Sequence, residues 1–233
     1  MIFLLIITSV AVVGAAAGVL TSGARSFRQL VPFSSGLLIG MAMFLLLPEA
    51  FATSRPFLVL GLCALGCAVF ALIEGVLHST VPAPHLSSVG VIPVLLAVSL
   101  HAMLDGWNIA TALELPDNGV LWAFLAGISL HKLTGGFAIG AVILSAVGDR
   151  NRAVAWAVGC ESLTAAGAAI QYAFRTSMGD QWTVWLLAVT GGSFLYLGYH
   201  SLQSARRSRG FRSALPAALA GMGSIWLISL MHR

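Results

Sequence analysis

Apolar runs of about twenty residues, cut by short polar breaks, recur along the whole chain. They cover approximately 2–21, 30–52, 57–78, 89–113, 119–147, 153–174, 182–203 and 214–232. As helices, runs of this length cross a hydrocarbon core ~30 Å thick. The fifth run is longer and is expected to tilt or to extend beyond the bilayer. None of the breaks is long enough to form a second domain. The pattern therefore predicts an all-α fold, a single eight-helix transmembrane bundle spanning 1–233. The first run, MIFLLIITSVAVVGAAAGVL, has no basic segment ahead of it, so it reads as the first membrane helix rather than a cleaved leader.

Composition agrees with the pattern. The chain has 233 residues, 58% of them hydrophobic and only 9% charged, with a mean hydropathy of +0.94. Soluble domains carry about 25% charged residues. The net charge of +4 comes from arginines in short breaks, without interleaved aromatics or zinc-finger spacing, which argues against nucleic-acid binding. Those arginines orient the bundle. With the N-terminus outside, Arg25, Arg28, Arg150, Arg152, Arg206, Arg207, Arg209 and Arg212 fall inside, while Arg55, Arg175 and Arg233 fall outside. Both termini are thus expected outside. The twelfth cation, Lys132, falls inside the membrane.

Lys132 belongs to a group of polar residues within the apolar runs. An Asp or Lys at the bilayer centre is disfavoured by roughly 2.5–3.5 kcal/mol on insertion scales, so such residues need partners. The fourth run carries His101, Asp105 and Asn108 at i, i+4, i+7, one stripe of a helix. The fifth carries His131 and Lys132, and the sixth Glu161 and Thr164 at i, i+3. A rise of 1.5 Å per residue puts His101 and His131 about 18 Å into the membrane and Glu161 about 12 Å. Three helices from separate parts of the chain therefore bring metal-ligand side chains to one depth. Neutral imidazole and carboxylate suit zinc and the neighbouring divalent ions. His101, Asp105, His131 and Glu161 are the candidate metal ligands. Glu161 is equally suited to be the counter-ion of Lys132, and Asn108 and Thr164 suit either support of an ion or contact between helices.

Other polar positions have plainer readings. His200 on the seventh run reads as an interhelical hydrogen-bonder. Glu74 and His78, at i, i+4 on the third run, form with His85 a candidate cytoplasmic exit for metal, which snorkelling to water explains equally well. Cys63 and Cys67 share a helix face as small packing residues or soft ligands, and Cys160 lies alone in the sixth run, so no disulfide framework is expected. Gly14 with Gly18, Gly36 with Gly40, and Gly136 with Gly140 have the spacing of close helix packing.

HAMLDG on the fourth run, HKLTGGFAIG on the fifth and GCESLTAAG on the sixth together resemble the ZIP (Zrt/Irt-like) metal transporters. GLLIGMAMFLLLPEA and GGSFLYLGYHSL, on the second and seventh, are similar to other spans of that family. The resemblance implies an inverted-repeat, elevator-type bundle, with helices 1, 4, 5 and 6 as the transport unit and 2, 3, 7 and 8 as the scaffold. It matches His101, Asp105 and His131 to ligand positions of a midplane site, and Glu161 to an acid of a neighbouring sub-site. It also matches Met41 or Met43 to a soft ligand. Lys132 stands at a second-sub-site position and Gly135 where a bridging Glu is common, an arrangement similar to a branch with a His-Lys pair on the fifth helix. A single bound metal is expected, with Lys132 in place of the second.

The function expected from these readings is transport of a divalent cation, zinc foremost, with iron, manganese and cadmium as further cargo, towards the cytosol. The chain has no GxxxxGK[ST] phosphate loop, so transport would be passive or ion-coupled. No enzyme activity and no catalytic cofactor are expected. The alternative is an intramembrane metal-dependent hydrolase, for which HExxH is missing and Ser99 and Ser129 lie on the wrong face of their helices. The partners expected are metal ions and the lipid bilayer, with a homodimer left open, in a membrane that suits a bacterial inner membrane.

Overall fold

The computed structural model describes residues 2–21, 27–80, 91–114, 118–175, 181–209 and 211–231. Among these residues the chain is helical throughout, broken only by short turns. We number the helices α1 (Ile2–Leu20), α2 (27–53), α3 (Pro56–Thr80), α4 (Val91–Ala112), α5 (Asn118–Val147), α6 (Arg150–Arg175), α7 (Gln181–Arg209) and α8 (Phe211–Met231). Six of them, α1, α2, α3, α5, α6 and α8, contain stretches long and apolar enough to cross a membrane. The α4 helix carries the polar stripe of His101, Asp105 and Asn108, and α7 ends in a run containing exposed Arg206 and Arg207. That basic run continues the helix several residues past its expected end at 203.

Local chemistry explains the breaks. Pro48 has no backbone N–H and cannot bond one turn back, so α2 widens into a π-helical turn at Ala42–Leu46, with the Leu47 N–H reaching the Ala42 carbonyl. Between α5 and α6, Gly148 adopts φ 78°, a left-handed conformation suited to glycine, and its N–H bonds the Leu144 carbonyl at 2.8 Å. Asp149 then caps α6, its Oδ1 accepting from the Arg152 N–H at 2.8 Å. The hairpin needs only these two residues.

The helices pack chiefly in four pairs: α1 on α5, α4 on α6, α2 on α8 and α3 on α7. In each pair, a glycine on either helix faces the other helix's backbone. Gly14 and Gly18 meet α5 at Leu133 and Phe137, while Gly136 and Gly140 meet α1 at Ala11 and Ala15. Gly106 meets Thr164 and Gly167 meets Met103 between α4 and α6. Gly36 meets Ala218 and Gly221 meets Phe33 between α2 and α8, and Gly66 meets Val189 and Gly192 meets Cys63 between α3 and α7. A side chain at these positions would collide with a carbonyl. Lipid tails give apolar side chains no reason to prefer each other, so close backbone contact through small residues supplies much of the packing energy. Cys67 joins this packing, its thiol on the Gly192 carbonyl at 3.1 Å.

The pairs assemble further, α1 on α6 and α2 on α7, and across the middle α2 meets α5 and α4 meets α7. Exchanging α1 with α6, α2 with α7, α3 with α8 and α4 with α5 maps this set of pairings onto itself. Where these pairs meet lies an apolar core of Met41, Leu45, Leu46, Ile109, Phe124 and Phe194, among others, with the last two rings stacked at 6.4 Å. These six come from the second half of α2, the last turns of α4 and the first halves of α5 and α7, and α1, α3, α6 and α8 add further residues.

Candidate metal centre

The α4 and α5 helices cross so that the residues at i and i+4 on α4 meet the middle of α5. His101, Asp105 and His131 each offer a ligand atom, all within 4.8 Å of one another. The imidazole rings lie 5.8 Å apart, nearly perpendicular, and His101 Nε2 is 3.5 Å from Asp105 Oδ2. Asp105 and His131 are buried, whereas the His101 side chain keeps 25% of its exposure.

Lys132 is buried beside them at 2% exposure. Its Nζ donates to Glu161 Oε2 at 2.7 Å and lies 3.1 Å from Asp105 Oδ2, an ion contact without hydrogen-bond alignment. One ammonium therefore bridges two carboxylates. Glu161 stands behind Lys132 as its counter-ion and is not part of the three-ligand cluster. With neutral histidines, the buried group of Asp105, Glu161 and Lys132 carries one net negative charge, which favours a cation.

His131 shows how the cluster is oriented. Ser34 Oγ, on α2, lies 2.8 Å from His131 Nδ1. In the tautomer with the proton on Nδ1, the ring donates to Ser34 and the lone pair of Nε2 faces the cluster. That Nε2 is buried and has no hydrogen-bond partner among the described residues. A ring held through one nitrogen with the other free is the usual posture of a metal-ligating histidine. Two imidazoles and one carboxylate, with room for water on the His101 side, form a donor set that fits a first-row divalent ion. Ser34 was absent from the sequence expectations, but it lies seven residues before Met41, on the same stripe of α2. Substituting Ser34→Ala is expected to weaken zinc affinity about 10–100-fold without loss of fold, as read by calorimetry.

The remaining candidates divide. Met41 is fully buried beside Gly127, one turn of α5 before His131. Met43 lies in the π-helical turn and is 50% exposed, whereas Met41 is buried. Asn108 does not join the ligands; its Oδ1 accepts from Thr190 Oγ1 of α7 at 2.8 Å. Thr164 is buried on α6 one turn beyond Glu161, with no hydrogen-bond partner for its hydroxyl among the described residues. The side chains of Glu74 and His78, and all of His85, lie outside the described residues. Ser129 donates to the Leu125 carbonyl and Ser99 to the Cys160 sulfur, so neither hydroxyl is engaged with His101 or His131.

Two members of the cluster border a crevice of about 340 Å³. The walls come from the first half of α2, the second halves of α3, α5 and α7, and α4 from Val98 to Leu104. His101 and His131 are in the lining. Met41, Leu45, Leu46, Ile109, Phe124 and Phe194 of the apolar core come from the other halves of α2, α5 and α7 and the last turns of α4. A scan of protein-family models finds no match for the sequence, and a search of curated proteins finds none either.

Proposed function

We propose that this chain is a divalent metal cation transporter, a multi-pass protein with eight spans and both termini outside. Zinc is its foremost cargo, and iron, manganese and cadmium are further candidates. One observation carries the reading: His101 and His131 of a buried His–Asp–His cluster line a crevice whose walls come from α4 around the cluster and from the same-side halves of α2, α3, α5 and α7. A binding site reached from one side at a time is what a carrier requires. A resident structural metal would need neither the crevice nor the partly exposed His101. By the arginine bias, those halves are the cytoplasmic ones, so the crevice reads as inward-facing.

The grouping of α1, α4, α5 and α6 apart from α2, α3, α7 and α8 supports an elevator-type division into transport unit and scaffold. The self-mapping set of pairings supports an inverted repeat of the kind the ZIP resemblance implies. On this reading the site holds one metal. An ammonium ~4 Å from a second divalent ion, at an effective dielectric of 20, would be repelled by about 8 kcal/mol. Lys132 thus acts as a resident cation between Asp105 and Glu161. The protein is a carrier rather than an enzyme, and transport is passive or ion-coupled.

Proteoliposome uptake tests this. The unmodified chain is expected to take up zinc, and His101→Ala to lose zinc affinity by at least the roughly 100-fold that follows loss of an outer partner. Metal binding without uptake of zinc, iron, manganese or cadmium would overturn the transporter reading.

A further inference from the structure

The α7–α8 hairpin carries cations and no counter-ions of its own. Arg206, Arg207, Arg209 and Arg212 follow one another closely, and positions 181–233 contain no Asp or Glu. On the side that the arginine bias makes cytoplasmic, Asp149 is already engaged, capping α6 beside Arg150 and Arg152. Arg206 is exposed and makes no ion pair among the described residues. The hairpin therefore draws its counter-charge from elsewhere, and at the surface of a membrane anionic lipid headgroups supply it.

Arg206 also lines a cavity of about 170 Å³ between the end of α7 and the start of α8. Tyr199, Leu202, Gln203 and Arg206 stand at i, i+3, i+4 and i+7, one stripe of α7, and Ala214 and Leu215 of α8 complete the lining. Gln203 Nε2 donates to the Tyr199 hydroxyl at 3.5 Å. Arg206 lies past the apolar run that ends near 203, and Tyr199 lies about 10 Å deeper along the helix. Tyr199 is 61% exposed, and its amphipathic ring suits the headgroup boundary. The lining thus joins a guanidinium at the water edge to an amide, a phenol and leucine side chains just inside the bilayer. Arg207 is equally a surface residue but points about 100° away around the helix and is not in the lining.

We infer that this groove binds the headgroup of an anionic phospholipid of the cytoplasmic leaflet, with Arg206 on the phosphate. A guanidinium forks onto two phosphate oxygens, and the amide and phenol beside it can donate to others. Leu202, Leu215 and the Tyr199 ring meet the start of the acyl chains. The cavity is smaller than the ~300–1,000 Å³ that encloses a drug-sized ligand, so it takes the headgroup while the chains lie along the outside of the helices. A zwitterionic lipid offers the same phosphate, but its own cation is repelled by the arginine run. The site stands apart from the metal centre and does not depend on what the chain transports. The same turns of α7 present Leu197 and Ser201 to the crevice, so an occupied groove braces the helix that forms one crevice wall.

Native mass spectrometry of the purified full chain, titrated with phosphatidylglycerol or phosphatidylcholine, tests the site. One phosphatidylglycerol per chain is expected to stay bound at concentrations where phosphatidylcholine does not. Arg206→Gln should weaken that binding at least about ten-fold, the loss of a hydrogen bond to a charged group. Arg207→Gln removes the same charge and should weaken it by no more than the about five-fold that any cation near an anionic surface contributes. Arg206→Lys, which keeps the charge without the fork, should fall between them. Melting curves in lipid-free detergent should match the unmodified chain, because both arginines are exposed; where Arg206→Gln melts lower, Arg206→Lys against Arg207→Gln makes the comparison. Equal losses from Arg206→Gln and Arg207→Gln, or phosphatidylcholine held as well as phosphatidylglycerol, overturn the site in favour of diffuse surface charge. Inorganic phosphate that displaces phosphatidylglycerol at equal concentration overturns the lipid as its ligand.

Discussion

Replacing Lys132 with alanine is expected to raise the zinc retained after desalting from one ion per chain to two. The reason is charge. The ammonium lies 2.7 Å from Glu161 and 3.1 Å from Asp105, with all three groups buried. Removing it leaves two carboxylates in a space that the side chain of Lys132 had filled. Breaking a buried ion pair by deleting one partner typically costs about 3–5 kcal/mol. A second divalent ion at the vacated position would offset that cost. Metal that binds only the folded chain contributes about 2.7 kcal/mol at 100 times its dissociation constant.

The melting temperature of Lys132→Ala should therefore fall sharply in chelator and recover with zinc, far more than that of the unmodified chain. Adding Glu161→Gln to Lys132→Ala removes one carboxylate charge and should return retained zinc to one per chain. Mass-spectrometric metal counts and melting curves with and without chelator read both effects. A Lys132→Ala chain that retains one zinc and melts independently of it would sink the resident-cation idea, while the His101–Asp105–His131 site would be unaffected.

Much of this site was legible in the sequence because helical geometry is regular. The i, i+4 spacing of His101 and Asp105 puts them on one face, and counting residues from the span ends puts His131 and Glu161 near the same depth. Depth and face do not settle which side chain touches which. Glu161 suited a metal ligand as well as a counter-ion until Lys132 was seen to reach it. Met41 and Met43 could not be separated without the rotation of α2, which the π-helical turn at Ala42–Leu46 resets immediately after Met41. Ser34 escaped notice because a serine in a membrane helix commonly bonds its own backbone, as Ser35 does to the Val31 carbonyl. Its partner lies ninety-seven residues away, and only packing reveals it. In the fold, the glycine pairs on α1, α2 and α5 were visible as repeats, whereas Gly106 and Gly167, the contacts that join α4 to α6, belong to no repeat.

Substituting Gly167 should have the larger structural consequence. A Cβ on Gly167 would collide with the Met103 carbonyl, and one on Gly106 with that of Thr164. Backbone cannot swing aside as a side-chain tip can, so α4 and α6 would have to separate. Overpacking of this kind costs about 1–3 kcal/mol and more where backbone must move. Here separation also pulls Asp105, the neighbour of Gly106, away from the ion pair that Glu161 makes from α6. Gly167→Val is therefore expected to lower the melting temperature and weaken zinc affinity together. Gly159 provides the matched control: it lies exposed on the same helix, where a Cβ would meet nothing within 4 Å. Gly159→Ala replaces a poor helix former with a good one and should gain up to about 1 kcal/mol. The two substitutions thus have opposite signs on one helix, and melting curves in detergent distinguish them. Equal, small effects from both would mean that α4 and α6 do not meet as closely as the glycine contacts require.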